Sequence, residues 1–233
     1  PGQHCRQGLS QENVVAAACR ALAEGCRALG IQAQLILCCM RGAPEAQNAE
    51  TLRLAREYLG KGVCAADLAG AEALFPTRSY APLFAAVPGL PFTIHAGEAD
   101  GPESIRAALA MGAKRIGHGV RCIEDAALVA ELAQRGIPLE VCPTSNLQTC
   151  TFADWAHHPL KTLLKAGVKV TVNSDNRTVS GTTAQKEMAL AAQHLGLSAA
   201  QQARLWLNAA DAAFLPEAQK QALRAAVQAR LAG

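Results

Sequence analysis

The sequence predicts an α/β fold, a TIM-type (β/α) barrel formed as a single domain over residues 1–233, and three observations predict it. Short apolar runs alternate with amphipathic segments about six times along the chain, and regular βα alternation gives a parallel sheet covered by helices. The apolar runs are nearly continuous, as in Ala33-Gln-Leu-Ile-Leu-Cys-Cys-Met40, which suits strands buried on both faces. Three runs end by delivering a histidine or aspartate into a turn: Thr93-Ile94-His95, followed by Ala96-Gly97-Glu98; Arg115-Ile116-Gly117-His118-Gly119; and Val170-Thr171-Val172-Asn173-Ser174-Asp175-Asn176. Strand ends that converge on one polar centre describe a barrel mouth.

Residues 10–29 read as a helix, with Ser10 at the N-cap, a broad face of Val14, Val15, Ala18, Leu22 and Leu29, and Gly30 at the stop. A strand over 33–40 follows, then a helix over 45–59 closed by Gly60, a strand over 62–68, and a short helical stretch near 80–87. The strand over 91–96 leads to a helix over 102–111, with Pro102 in its first turn and Gly112 after it. The pattern continues as strand 114–118, helix 124–135 with Gly136, strand 138–142, helix 159–166 with Gly167, and strand 168–174. The tail from 183 to 231 is helical, broken near Gly196-Leu197-Ser198 and Leu215-Pro216. That makes about six βα units, whereas a closed barrel of this type has eight.

Composition narrows the function. Half the residues are hydrophobic, enough for a buried core, and no run approaches the ~20 apolar residues of a membrane span. Residues 1–15 lack the basic-then-apolar pattern of a secretory signal, which points to the cytoplasm. The net charge of +3 is scattered, and aromatics make up only 4% of the chain, so neither a nucleic-acid surface nor a membrane surface is expected. The nine cysteines are odd in number and include no C-x-x-C pair, and most sit in apolar surroundings, as at Cys38, Cys39, Cys64 and Cys142. They read as reduced thiols serving as small hydrophobes.

The chemistry sits at the strand ends. His95 leaves its strand through a tight Ala96-Gly97 exit, with Glu98 three residues on. A neutral imidazole there can hold a metal while the carboxyl carries a proton beside it. His118 lies between two glycines, which lets backbone approach and exposes the ring at the mouth, where it could orient an attacking hydroxide. Asp175 ends an alternating strand and offers the oxygen ligand of a mixed His/Asp zinc site, although an aspartate so placed also caps helices. Asp67-Leu-Ala-Gly70 closes another strand, with a glycine that lets a ligand touch the main chain. Cys142-Pro-Thr-Ser-Asn146 reads as a turn whose Ser and Asn bond the backbone.

Taken together, His95-Ala-Gly-Glu98, Arg115-Ile-Gly-His118-Gly119, Cys142-Pro-Thr-Ser-Asn146 and Asn173-Ser-Asp175-Asn176 closely resemble the adenosine deaminase family, and Leu37-Cys-Cys-Met-Arg41 and Asp67-Leu-Ala-Gly70-Ala-Glu72 fit its third and fourth strands. The resemblance runs in order over essentially the whole chain. It implies an amidohydrolase-like (β/α)8 barrel with extra C-terminal helices, a Zn2+ cofactor, and a small purine nucleoside as partner. It implies His95 and Asp175 as zinc ligands, with Asp175 also in the catalytic set. Glu98 would be the proton donor to purine N1, and His118 the residue that orients the attacking hydroxide. Gly70 N–H would bind N3 and Asn176 would bind N7. The implied reaction is hydrolytic deamination of adenosine, and of 2′-deoxyadenosine, to inosine and ammonia in purine salvage. The other zinc deaminase pattern, H-x-E with P-C-x-x-C, is absent from the sequence.

Two departures from the family pattern stand out. Asn176 occupies a position where many family members carry a second aspartate, and an amide donates to N7 at any pH whereas a carboxyl must first be protonated. The first-strand His-x-His pair that completes the family's zinc site does not occur in these residues, so one or two βα units are expected to be missing ahead of Pro1. The isolated chain is then expected to hold little zinc. Adenine or another aminopurine remains an alternative substrate, because the ring contacts do not see the ribose. If the chain is complete as given, it reads as a non-catalytic remnant acting as a binding or assembly module.

Overall fold

A computed structural model of the chain describes residues 1–232. Two short 3₁₀ turns, Gly2–His4 and Arg6–Gly8, precede helix α1 (Gln11–Leu29). Ser10 caps α1 by accepting from Asn13 N at 3.1 Å, and Gly30 closes it in the left-handed region at φ 62. β1 (Leu35–Met40), α2 (Glu45–Glu57) and β2 (Val63–Ala69) follow. A 3₁₀ turn, Thr77–Tyr80, then runs into α3 (Ala81–Ala85). The alternation resumes with β3 (Thr93–Ala96), α4 (Pro102–Met111), β4 (Arg115–His118), a 3₁₀ turn (Val120–Glu124), α5 (Ala126–Arg135) and β5 (Leu139–Val141). The chain ends with α6 (Pro143–Gln148), α7 (Leu160–Lys165), β6 (Val170–Val172), α8 (Arg177–Ser180), α9 (Ala184–Leu195), α10 (Ala199–Ala212) and α11 (Glu217–Ala232).

All strand pairs are parallel, and they form a two-stranded sheet, β1-β2, and a four-stranded one, β3-β4-β5-β6. A bridge from Ala66 to Phe92, with Ala66 N donating to Pro91 O at 3.0 Å, joins β2 to β3. The wall therefore runs in chain order from β1 to β6, six strands of a (β/α) barrel, with β1 and β6 at its edges. Fully buried Leu68, Ile94, Ile116 and Leu139 come from its strands, and Leu52, Leu54, Ile105, Leu128, Leu132, Leu160 and Leu163 from the helices packed on it. This is the two-sided burial that the unbroken apolar runs require.

Register sets up the site. His95 pairs with Gly117, Gly117 with Glu140, and Glu140 with Thr171, so these residues lie abreast across four strands. A Cβ on Gly117 would fall 2.9 Å from His95 Nδ1 and 3.0 Å from its Cα. The glycine thus makes room for the imidazole. Glu140 accepts from Thr93 Oγ1 at 3.1 Å and pairs with Arg115 Nε at 2.5 Å. The Arg115 guanidinium lies 3.9 Å over the Phe214 ring and donates to Ala212 O at 3.0 Å. With Asn208 Nδ2 donating to Val170 O at 2.8 Å, these contacts fasten the C-terminal helices beneath the wall.

Two elements differ from the sequence expectation. The segment read as a turn at 142–146 is the start of α6, and a further short helix, α8, follows Asp175. α6 forms because Pro143 presets its first turn and because buried Glu187, in α9, accepts from Thr144 N at 2.9 Å and from Thr144 Oγ1 at 2.5 Å. That second reason lies 43 residues away in the chain and is invisible locally. Among the described residues no helix is long and apolar enough to cross a membrane. The nine cysteines are free thiols; Cys39, Cys122 and Cys142 are buried and Cys150 is exposed.

Candidate active site

The mouth is built from the ends of β2, β3, β4, β5 and β6, and a cavity of about 300 Å³ there is lined by His95, Gly117, His118, Glu140, Cys142, Asn173 and Asp175. His95 and Asp175 thus face one space although they come from β3 and from the exit of β6. The rings of His95 and His118 meet edge to face with centroids 5.1 Å apart.

Asp67, in β2, points at His95: Nδ1 of the imidazole lies 2.9 Å from Oδ2 and 3.1 Å from Oδ1. Burial works to raise the Asp67 pKa, but the His95 charge and hydrogen bond outweigh it and hold the carboxyl below its usual range. Burial likewise works to lower His95, and Asp67 overrides it, raising the imidazole to about 9. Because Nδ1 is tied to the carboxylate, Nε2 is the nitrogen left to bind a metal. Asp67 was seen in the sequence only as a strand-closing residue. Its orienting contact arises from the pairing of β2 beside β3.

His118 is 2% exposed, which corrects the expectation of a ring exposed at the mouth. Asn146, from α6, lies on one side with Nδ2 3.1 Å from His118 Nδ1, and Glu98 lies on the other with Oε2 3.4 Å from Nε2. Whichever way the amide is turned, it occupies Nδ1 and leaves Nε2 facing Glu98. Burial and the neighbouring His95 charge lower the His118 pKa to about 4, so the ring is neutral near pH 7. The Glu98 carboxyl is pushed up, first by burial and also by Asp175, against the opposing pull of His95. Thr149 Oγ1 donates to its Oε1 at 3.3 Å.

Asp175 receives a hydrogen bond from Ser145 Oγ at 2.7 Å. The Cys142-to-Asn146 segment therefore acts on the site through side chains: Ser145 bonds Asp175 and Asn146 bonds His118. This corrects the reading of Ser145 and Asn146 as backbone-bonding turn residues. His118 (φ 57) and Asp175 (φ 53) both adopt the left-handed region, which costs a side-chain-bearing residue about 1 kcal/mol or more. The fold carries that strain at two mouth residues.

Asn176, rather than Asp175, caps the following helix: its Oδ1 accepts from Thr178 N at 3.1 Å and Val179 N at 3.0 Å. Gly70 lies one residue past β2 at φ 110, packed against the Arg41 backbone. Ligand atoms of His118, Cys142 and Asp175 lie within 4.8 Å of one another. Burial, then Asp175 and Glu140, pushes the Cys142 thiol well above its ordinary value. The freed Nε2 of His95 and the carboxylate of Asp175 on one cavity form a nitrogen–oxygen donor set that suits zinc as part of a coordination sphere.

A parallel barrel wall with such donors at the carboxyl ends of its strands defines a hydrolase barrel of the metal-dependent kind. The chain belongs to the adenosine deaminase family, whose sequence model matches residues 1–230. It is 48% identical over 237 aligned residues to an adenosine deaminase of Haemophilus ducreyi, covering 99% of this chain and 69% of that one. It is 39% identical to an adenosine deaminase of Lacticaseibacillus paracasei, covering 93% and 65% respectively. The chain thus spans about two thirds of the length of these curated relatives. Among solved structures it superposes on an adenine deaminase from Arthrobacter aurescens with a TM-score of 0.91 at 29% identity, covering 100% of this chain and 72% of that one.

Proposed function

We propose that this chain carries most of the active site of a zinc-dependent adenosine deaminase that hydrolyses adenosine and 2′-deoxyadenosine to inosine and ammonia. The supporting observation is the shared cavity: His95 and Asp175 line it from separate strands, with His118 between them and Glu98 against His118. His95 Nε2 and an Asp175 oxygen would hold the ion, and the His-x-His pair that the family adds does not occur among these residues. Zinc, when bound, lowers the pKa of water to about 7 and so supplies a nucleophile at neutral pH.

The residues do the rest. Neutral His118, fixed at Nδ1 by Asn146 with Nε2 facing Glu98, orients the water that attacks purine C6. Glu98, whose carboxyl burial pushes above its ordinary range, is the proton carrier and delivers to N1 as electron density moves onto the ring. Gly70 N–H binds N3, and the Asn176 amide donates to N7. None of these contacts touches the sugar. Adenine is accordingly the second reading, favoured by the superposition on an adenine deaminase. The test is ammonia release by the zinc-loaded protein as encoded, with adenosine, 2′-deoxyadenosine and adenine supplied separately. Conversion of both nucleosides far above adenine supports the proposal, and conversion of adenine alone replaces it.

A further inference from the structure

Glu72 does not line the cavity and has no role assigned above, yet five donors converge on it, the backbone N–H of Glu98 among them. It is 3% exposed. Its Oε1 accepts from Gly97 N at 2.7 Å and Ser104 Oγ at 2.5 Å, and its Oε2 accepts from Glu98 N at 3.1 Å, Ala99 N at 2.8 Å and Asp100 N at 3.1 Å. Four successive peptide N–H groups thus form a concave nest around one carboxylate, just ahead of α4. Gly97 makes the nest possible: it sits at φ 74, and a Cβ there would collide with Ile105 Cδ1.

The same carboxylate is braced from behind. Ser104 Oγ lies 2.7 Å from Thr77 Oγ1, Thr77 accepts from Arg41 Nη2 at 2.8 Å, and Arg41 Nη2 also donates to His95 O at 2.7 Å. The main chain on both sides of Glu98 is therefore fixed, from His95 O to Asp100 N, by the side chains of Arg41 and Glu72.

We propose that Glu72 is a positioning residue for the proton-transfer step: by clamping the Gly97–Asp100 backbone it sets where the Glu98 carboxyl stands relative to His118 and the purine ring. This rests on the deaminase reading, in which Glu98 is the acid. A displacement of about 1 Å at a reacting group can cost about a hundredfold in rate, so the effect falls on turnover and spares binding, which uses other residues.

The experiment compares wild type, Glu72→Ala and Glu72→Gln in the zinc-loaded protein as encoded, reading kcat and KM for adenosine, bound zinc, and amide hydrogen exchange over residues 97–100. Glu72→Gln keeps the volume and one acceptor oxygen, so it stays informative if Glu72→Ala fails to fold. The expected result is a fall of about a hundredfold in kcat for Glu72→Ala, a smaller fall for Glu72→Gln, KM and zinc content near wild type, and faster exchange at 97–100. Unchanged exchange, unchanged kcat, or loss of zinc in proportion to activity would overturn the proposal. Should wild type release no ammonia from adenosine, the deaminase reading fails, and exchange at 97–100 still decides whether Glu72 is the clamp.

Discussion

Replacing Asn176 by aspartate changes one atom and tests how the purine is held. The Oδ1 of Asn176 is engaged with Thr178 N and Val179 N, so the amide end left for a ligand is Nδ2, a donor. Aspartate caps helices as well as asparagine does, so Asn176→Asp should leave α8 intact while removing the donor. To recover it, the carboxyl must take up a proton, and at pH 7 against an ordinary aspartate pKa of ~3.9 this costs up to about 4 kcal/mol. An ionised carboxylate would set its own lone pairs against that of N7 with no proton between them, so the protonated form is the one that binds. The cost grows by about 1.4 kcal/mol per pH unit, so KM for adenosine should rise by up to about tenfold per unit as pH increases. The assay is initial-rate kinetics of the zinc-loaded protein across neutral to mildly alkaline pH, wild type beside variant, normalised to the wild-type profile. Superimposable KM profiles for the two proteins would refute the reasoning, because the side chain would then not donate to the ring.

Three further outcomes are expected. Gly117→Ala drives a methyl onto the His95 ring, and overpacking of this kind costs about 1–3 kcal/mol; thermal unfolding and bound zinc should both fall, and an unchanged zinc content would show that His95 has room to move. Asp67→Ala removes the partner of His95 Nδ1, and zinc affinity measured by chelator competition should fall about 10–100-fold. His158, 4% exposed, accepts from Leu160 N at 3.3 Å, has no partner for its buried Nε2 among the described residues, and is lowered by burial to about 4. Its folded pKa lies below the unfolded value of ~6.5, so its neutral form contributes stability above that pH that is lost as pH falls toward 4. Urea unfolding at pH 7 and pH 5 should show about 2 kcal/mol less acid destabilisation in His158→Asn than in wild type.

The fold was largely legible because each element carries its own local punctuation. Gly30, Gly112, Gly136 and Gly196 close helices in the left-handed region, and the continuous apolar runs became parallel strands that each start a residue or two later than the runs do. The strand ends bearing His95, His118 and Asp175 were legible for the same reason: polar residues there interrupt an otherwise apolar pattern. What could not be read was who faces whom. Asp67 meets His95 across 28 residues, Asn146 meets His118 across 28, and Glu72 reaches its peptide donors across 25 to 28. No periodicity encodes those pairings, which follow from β2 lying beside β3 and from α6 folding back over the mouth. The exposure expected of His118 failed for this reason, since the side chains that cover it come from α6 and from the exit of β3.

The join between β2 and β3 holds fewer ladder contacts than the seams beside it, resting on the Ala66–Phe92 bridge and the bond from Ala66 N. Across that same line run the Asp67–His95 pair and the Arg41 bond to His95 O. Side chains thus act as staples where main-chain stitching is thin, two polar clasps added to the continuous apolar core that crosses the seam. An ion gripping the imidazole would tighten one of those clasps, and loading the centre would thereby lock a crack in the wall.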